Sequence, residues 1–252
     1  MKKKMALLLA AALTMTTILT GCGGGNEENA DKQSDVTAED AKEENASGDS
    51  VSEGGTVFTV GFDAEYPPYG YMDENGEYTG FDLELAQAVC DLEGWELVKK
   101  PINWDSKDME LNSGSIDCIW NGFTMNGRED DYTFSDSYVD NSQVIVVAED
   151  SGIDTLDALA GKVVGVQAAS AALELLQSEE EGGQKALADT FGSLNEFADY
   201  NTAFTELQAG ALDALAIDIG VAKYQIKSRG DGYKIVDETL NTEQYAVAFK
   251  KG

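Results

Sequence analysis

The pattern of apolar and polar positions predicts strands that alternate with helices. Residues 57–60 form a β-branched and aromatic run, which is typical of a strand. Residues 81–92 carry apolar side chains at helical spacing and predict a helix, and two further helices are predicted at 171–175 and 203–209. This alternation favours an α/β fold with mainly parallel sheets.

Two sequence patterns occur twice, in the same order. Residues 60–64 and 164–168 share the pattern Val-Gly-x-[Asp/Gln]-Ala at the end of a predicted strand. Residues 111–119 resemble 207–215, and each predicts a helix that ends at a glycine and a strand that follows an aspartate. We therefore predict two similar lobes.

The predicted topology brings four polar segments together. In open α/β sheets, ligands bind beyond the carboxyl ends of the strands. The segments that follow predicted strands are 63–69, 121–128, 167–171 and 217–218. Both halves of the chain are thus expected to line one binding cleft.

The N-terminus has the composition of a secretory signal. Lys2, Lys3 and Lys4 precede an apolar run that ends at Leu19 and is shorter than the ~20 residues of a membrane span, the alternative interpretation. The following Thr-Gly-Cys resembles a bacterial lipobox, which predicts a signal peptide over 1–22 and a diacylated Cys22. The lipid would anchor the protein to the membrane. Residues 23–55 are acidic and nearly free of bulky apolar side chains, and they predict a disordered tether.

Composition excludes several functions. The formal net charge of −30 argues against binding nucleic acid, whose phosphates it would repel. The chain contains no histidine, which removes Ser-His and Cys-His nucleophile systems and histidine-ligated metal sites. We expect no metal and no cofactor. Of the three cysteines, Cys90 and Cys118 fall on predicted apolar faces; buried thiols are favoured over a disulfide.

Several short motifs follow one another along the chain from Thr56. They are 60–69, 75–76, 80–82, 111–117, Asn-Gly-Phe-Thr at 121–124 with Arg128, Phe-Ser-Asp-Ser-Tyr at 134–138, 156–165 and 207–218. In order and spacing they resemble the family 3 solute-binding proteins of polar amino-acid ABC importers. The resemblance implies a two-lobed periplasmic-binding-protein type II fold with its ligand cleft between the lobes. The chain would cross near 144–148 and 245–249, giving one lobe of 56–147 with 244–252 and another of 148–243.

The resemblance also implies how the charged ends of an amino acid are bound. Arg128 would grip the carboxylate with its planar fork, unless it pairs with a neighbouring surface carboxylate. Thr124 would donate beside it. Asp218 would accept from the ammonium, with helix capping as the alternative role, and a backbone carbonyl of Asn121 or Gly122 could supply a second acceptor.

The remaining expected site residues surround the ligand's side chain. Tyr66 and Trp104 could enclose its aliphatic part, whereas Trp120 is expected in the core. Asp63 matches a position that faces basic side chains in relatives, with a turn-forming role as the alternative, and Gln167 could hydrogen-bond the ligand. The complete expected ligand site is Asp63, Tyr66, Trp104, Asn121, Gly122, Phe123, Thr124, Arg128, Gln167, Ser170, Ala171 and Asp218.

The chain departs from the family pattern in three places. The segment from Thr124 to Arg128 is one residue shorter, and Ala169-Ser170-Ala171 stands where Gly-[Ser/Thr]-[Ser/Thr] is usual. Relatives also continue beyond the equivalent of Gly252 with a helix on the first lobe. We therefore expect this chain to be less stable than a version that carries such a helix.

The implied function is capture of a small polar L-amino acid and its delivery to an ABC permease at the outer face of the cell membrane. A basic or amide side chain is favoured, cystine remains open, and a monomer is expected. One alternative is a ligand-sensing module for a membrane receptor. Another is a dehydratase-type enzyme with Asp63 or Glu65 as acid or base, which the absence of histidine disfavours.

Overall fold

The computed structural model describes residues 55–230 and 232–252. The predictions for the signal peptide, for Cys22 and for the tether up to residue 54 lie outside the described residues. Within the described part, no helix combines the length and the apolar character that crossing a bilayer requires.

The described chain alternates strands and helices as the sequence pattern predicts. The strands are β1 Val57–Phe62, β2 Glu65–Tyr66, β3 Gly70–Met72, β4 Tyr78–Thr79, β5 Glu96–Pro101, β6 Cys118–Ile119, β7 Tyr132–Phe134, β8 Val139–Ala148, β9 Val163–Gln167, β10 Ser193–Phe197, β11 Ala214–Asp218, β12 Tyr233–Ile235, β13 Asn241–Tyr245 and β14 Ala248–Lys250. The helices are α1 Phe81–Glu93, α2 Lys107–Ser113, α3 Ala171–Gln177, α4 Lys185–Ala188, α5 Tyr200–Gln208 and α6 Ile219–Arg229, with short 3₁₀ turns at Trp104–Ser106 and Leu156–Leu159.

Two main sheets form the cores of two lobes, as expected. The first sheet has the order β5-β1-β6-β14-β7, with β1 parallel to both neighbours and β14 antiparallel to both of its own. The second has the order β10-β9-β11-β8-β12, and β13 also pairs with β8. We call the parts of the chain built on these sheets the first lobe and the second lobe. A small sheet of β2, β3 and β4 follows β1.

The first crossing between the lobes differs from the sequence expectation. All of β8 pairs with strands of the second sheet, so residues 139–147 belong to the second lobe rather than the first. The chain therefore crosses between Phe134 and Val139, and it returns between Tyr245 and Ala248. Residues 144–147 are buried on both sides of the sheet, and such a uniformly apolar run does not reveal to which lobe it belongs.

The repeated sequence patterns have the same structural cause in both lobes. Asp117 accepts a hydrogen bond from the backbone N–H of Thr59 at 2.7 Å, and Asp213 accepts one from Val163 at 2.8 Å. Each aspartate thus ties the strand after its helix to the strand carrying the Val-Gly pattern. The prediction of two similarly built lobes is confirmed at these contacts.

Each glycine of the repeat makes room for an apolar side chain at the equivalent position of its own lobe. A Cβ on Gly61 would lie 2.5 Å from Cδ1 of Ile116, and a Cβ on Gly165 would lie 2.5 Å from Cδ1 of Leu212. Because cores are close-packed, any larger residue at either glycine would displace that side chain.

The predicted buried residues of the first lobe lie in its core. Cys90 and Cys118 are free, fully buried thiols within the described chain. Trp120 packs edge-on against Tyr138 at 6.3 Å and does not line the cleft, which agrees with the core role expected for it.

Candidate functional site

The site lies where the carboxyl ends of strands from both sheets meet. Asp63 follows β1, Asn121 follows β6, Gln167 ends β9 and Asp218 ends β11. The topology therefore brings together the segments that the strand-end rule selects.

A small cavity between the lobes is lined by all but two of the expected residues. It has a volume of about 20 Å³ and is lined by Tyr66, Trp104, Gly122, Phe123, Thr124, Arg128, Gln167, Ser170, Ala171 and Asp218. That is about the space of one water molecule. A larger ligand therefore requires the two lobes to move apart about a hinge before it can bind.

The other two expected residues, Asp63 and Asn121, lie beside this cavity. Asn121 Oδ1 accepts from the backbone N–H of Asp63 at 2.9 Å, so it orients the aspartate's backbone rather than lining the cavity. Asp63 lines an adjoining cavity of about 730 Å³ that opens between the lobes. We call this second cavity the acidic vestibule.

The acidic vestibule concentrates negative charge from both lobes. Its carboxylates belong to Asp63, Glu65, Asp105, Glu110, Glu196 and Asp199. None of the described residues that line it is cationic. Such a surface attracts positive charge.

Asp63 joins the lobes across the cleft. Its Oδ1 accepts from the backbone N–H of Glu65 at 2.9 Å, and its Oδ2 accepts from Gln167 Nε2 at 2.7 Å. Both the turn-forming contact and a cleft-facing contact are thus present. Burial raises the pKa of Asp63 to about 6, and the nearby Asp199 and Glu65 carboxylates add to this increase.

Arg128 is buried at the cleft and does not pair with its acidic neighbours in sequence. Its guanidinium lies 4.6 Å from the ring centre of Phe123. Nη1 donates a long hydrogen bond to the carbonyl of Thr124 at 3.4 Å. Nε donates to Glu174 Oε2 at 3.0 Å, while Nη2 lies 2.8 Å from Glu174 Oε1. Among the described atoms, the buried Nη2 has no hydrogen-bond acceptor in good geometry.

Asp218 accepts hydrogen bonds from three side chains. The donors are Tyr245 Oη at 2.6 Å, Gln143 Nε2 at 2.7 Å and Asn141 Nδ2 at 2.8 Å. Asp218 stands at the first position before α6, but its side chain makes no capping hydrogen bond. Capping, the alternative role for this residue, is therefore not what holds its carboxylate.

A second buried carboxylate, Glu243, shares two of these donors. Its Oε1 accepts from Asn141 Nδ2 at 2.7 Å and Gln143 Nε2 at 2.8 Å. It also accepts from the hydroxyl of Thr124 at 2.7 Å, so this hydroxyl is already engaged. Burial raises the pKa of Glu243, and the charge of Asp218 raises it further.

Sequence reasoning predicted Asp218 at the cleft but missed Glu243 and the donors that the two carboxylates share. The strands β8 and β13 are neighbours, and their register sets Asn141 opposite Glu243. Polar residues at alternate positions of β8, Asn141 and Gln143, were the available signal, because side chains two apart point to the same face. The pairing of β8 with β13 could not be read from that signal.

Gly122 has two separate reasons to be glycine. Its φ is +56°, in the region that other residues avoid, and a Cβ would lie 3.0 Å from both the Tyr66 and Tyr245 rings. Its backbone N–H donates to the buried carboxylate of Asp82. Burial raises the pKa of Asp82 to about 7.

The loop between β9 and α3 has the shape that a glycine usually allows. Ala169 has a φ of +53°. Ser170 caps α3, since its Oγ accepts from the backbone N–H of Leu173 at 3.2 Å, and it also donates to the carbonyl of Gln167 at 2.7 Å. Its hydroxyl therefore shapes the loop.

Lys107 is a cleft residue that sequence reasoning also missed. It is buried, and its Nζ donates across the cleft to the carbonyl of Ala169 at 3.2 Å. Nζ also lies 5.4 Å from the ring centre of Trp104. A lysine at the start of a helix normally indicates a solvated surface, so the sequence carried no signal for this contact.

Comparison with known proteins places this architecture in a family. Residues 58–242 match the model for bacterial extracellular solute-binding proteins, family 3. The arginine-binding extracellular protein ArtP of Bacillus subtilis is 32% identical over 256 aligned positions, which cover 100% of this chain and 87% of ArtP. The L-cystine-binding protein TcyJ of Escherichia coli K12 is 31% identical over 205, which cover 80% of this chain and 73% of TcyJ.

A solved structure shows the same fold. It is an ABC uptake transporter substrate-binding protein from Streptococcus pneumoniae with bound histidine, 34% identical, with a TM-score of 0.71 over 77% of this chain and 80% of the other. The two-lobed type II periplasmic fold is thus confirmed. The chain belongs to family 3 of the bacterial extracellular solute-binding proteins.

Proposed function

We propose that this protein captures a small polar L-amino acid in the cleft between its lobes. Arg128 would bind the carboxylate through its inner N–H groups, and Asp218 would accept from the ammonium. The observation that carries the proposal is the buried guanidinium of Arg128, whose Nη1 makes only a long 3.4 Å contact with the Thr124 carbonyl, in a cavity that also contains Asp218. A buried donor with so weak an acceptor is costly, and a ligand carboxylate would give it a strong one.

The charges around the cleft favour a cationic side chain. Arg128 and Lys107 are the cations near the cavity, whereas Asp218, Glu243 and Asp63 are buried carboxyls beside it. The ligand's side chain would extend towards Asp63 and the acidic vestibule. A basic amino acid would bring the positive charge that this surface attracts, and an amide would still donate to Asp63.

The relatives support a polar amino acid as the ligand. ArtP is named for arginine, TcyJ for cystine, and the S. pneumoniae structure contains histidine. We propose that the captured amino acid is handed to an ABC permease and that the protein acts as a monomer without a catalytic role. Cys22 would carry the lipid that holds it at the outer face of the cell membrane; loss of palmitate labelling in Cys22→Ser, against the unchanged chain, tests this anchor.

A thermal-shift panel of the twenty L-amino acids, ornithine and cystine tests the proposal. A ligand at about 1,000 times its dissociation constant adds ~4 kcal/mol to the free energy of unfolding. We expect a clear increase in Tm with one or a few amino acids, and loss of that increase in Arg128→Lys and Asp218→Asn.

Arg229→Lys is the matched control for Arg128→Lys. Arg229 is the other arginine of the chain and binds Gln225 within α6, away from the cavity. It should keep the full ligand response. An unchanged Tm with every amino acid would reject amino-acid capture.

A further inference from the structure

A carboxylate of the second lobe reaches across the cleft to the proposed ligand-binding arginine. Glu174 lies on α3, and its two oxygens lie 3.0 Å and 2.8 Å from Nε and Nη2 of Arg128. The Arg128 side chain is 7% exposed and that of Glu174 is 55% exposed. The ion pair therefore has one buried partner and one at the rim.

Glu174 approaches Arg128 from outside the cavity. Arg128 lines the small cavity, whereas Glu174 does not. Glu174 instead lines two outer grooves, one of them together with Arg128. The outer edge of the guanidinium is thus held by Glu174, while Nη1 makes only the 3.4 Å contact with the Thr124 carbonyl. A ligand carboxylate and Glu174 can bind different sides of the same guanidinium.

The charge of a neighbouring lysine also favours the contact between Glu174 and Arg128. Lys107 is buried close to Arg128, and both burial and the arginine's charge lower the pKa of Lys107. Asp108, Glu174 and Asp105 act in the opposite direction. Glu174 is the member of this group that comes from the other lobe, so it neutralises two buried cations only when the lobes are together.

We propose that Glu174 is a positioning residue that holds Arg128 towards the ligand and latches the closed cleft. This rests on the proposed function of Arg128 as the carboxylate-binding residue. Since the contact forms only across the closed cleft, Glu174 retains the ligand after closure and has little part in its first encounter.

The test compares Glu174→Gln with the parent protein in stopped-flow binding of L-arginine. Trp104 lines the cavity and supplies the fluorescence signal. We expect the dissociation rate to increase about 3- to 10-fold, since a charge-assisted hydrogen bond is roughly twice as strong as a neutral one and a partly exposed pair is weaker than a buried one. The association rate should change less than about twofold, because affinity differences lie mostly in dissociation.

Glu206→Gln is the matched control. It removes the same charge from a half-buried position of α5, where the Glu206 side chain does not line the cavity, and should leave both rates unchanged. An unchanged or slower dissociation rate in Glu174→Gln would contradict the proposal that Glu174 holds the cleft closed. Slower dissociation would show that Glu174 competes with the ligand carboxylate for Arg128.

If L-arginine does not bind the parent protein, the distance between the lobes tests the role of Glu174 instead. Spin labels on Glu129→Cys and Glu179→Cys, two exposed sites on opposite lobes, report that distance in a Cys22→Ser background. The latch predicts a longer distance in Glu174→Gln without any ligand. An unchanged distance would reject it, independently of which solute the protein captures.

Discussion

Single residues in this cleft form hydrogen bonds or ion pairs with the opposite lobe. Asp63 receives Gln167, Lys107 donates to Ala169, and Arg128 pairs with Glu174. Each contact joins the two lobes, so closure also arranges the groups that we propose bind the ligand. Changes at these residues should therefore alter ligand selection and closure together.

The pKa of Asp63 predicts a pH-dependent choice of ligand. Its pKa is about 6, so the carboxyl is ionised at pH 8 and largely neutral at pH 5. We expect affinity for L-arginine relative to L-glutamine to fall about tenfold from pH 8 to pH 5, as a charge-assisted hydrogen bond is lost. Calorimetric titration of both ligands measures the ratio of their affinities. Because both ligands carry the same ammonium, any effect of Glu243 on that group cancels in the ratio.

Two variants test this assignment. Asp63→Asn should make the ratio independent of pH. Asp199→Asn keeps a helix-capping side chain but removes a charge that raises the pKa of Asp63, so the transition should move to lower pH. A ratio that still changes near pH 6 in Asp63→Asn would contradict the assignment of the effect to Asp63.

At the scale of elements, the sequence predicted the strand ends well and the strand pairings less well. The motif at 121–124 places Gly122 at the cleft because both its φ and its close neighbours require glycine. Glu243 and Glu174 stayed hidden, since a charged residue on a strand or helix usually faces solvent. Only the register of β13 against β8, and closure of the lobes, gives these carboxylates buried partners.

The loop before α3 offers a test at this scale. Left-handed backbone costs an alanine about 1–2 kcal/mol, and glycine at the same place loses part of that gain to its greater freedom in the unfolded chain. We therefore expect Ala169→Gly to raise the free energy of unfolding by about 0.5–1 kcal/mol in urea titrations. Ala168→Gly is the control, and it should lower stability. A decrease in Ala169→Gly would show that the loop does not store this strain.

At the scale of the whole molecule, the buried carboxyls set how stability depends on pH. Asp63 has a pKa of about 6 and Asp82 of about 7, both above the 3.8 of an unfolded aspartate, and that of Glu243 is also raised. The folded state therefore binds protons more tightly than the unfolded chain. This contribution is complete below about pH 4 and is lost as the pH rises through 6 and 7.

We accordingly expect the ligand-free protein to be less stable at pH 8 than at pH 5, by about 2–5 kcal/mol. Urea unfolding at the two pH values measures this difference. At pH 8, added salt should restore only the part of the lost stability that arises from mutual repulsion of the surface carboxylates. The net charge of −30 makes this repulsion large. Asp82→Asn should reduce the difference, and equal stability at both pH values in the parent protein would contradict the role assigned to burial.

The position of β14 governs the order in which the lobes can fold. The second sheet is built entirely from residues 139–245, whereas β14 enters the first sheet between β6 and β7 after the whole second lobe has passed. Joining β6 to β14 closes a long loop, whose entropy cost slows non-local pairing. The second lobe can therefore complete its sheet first, and the ligand cleft comes into existence last, when β14 inserts.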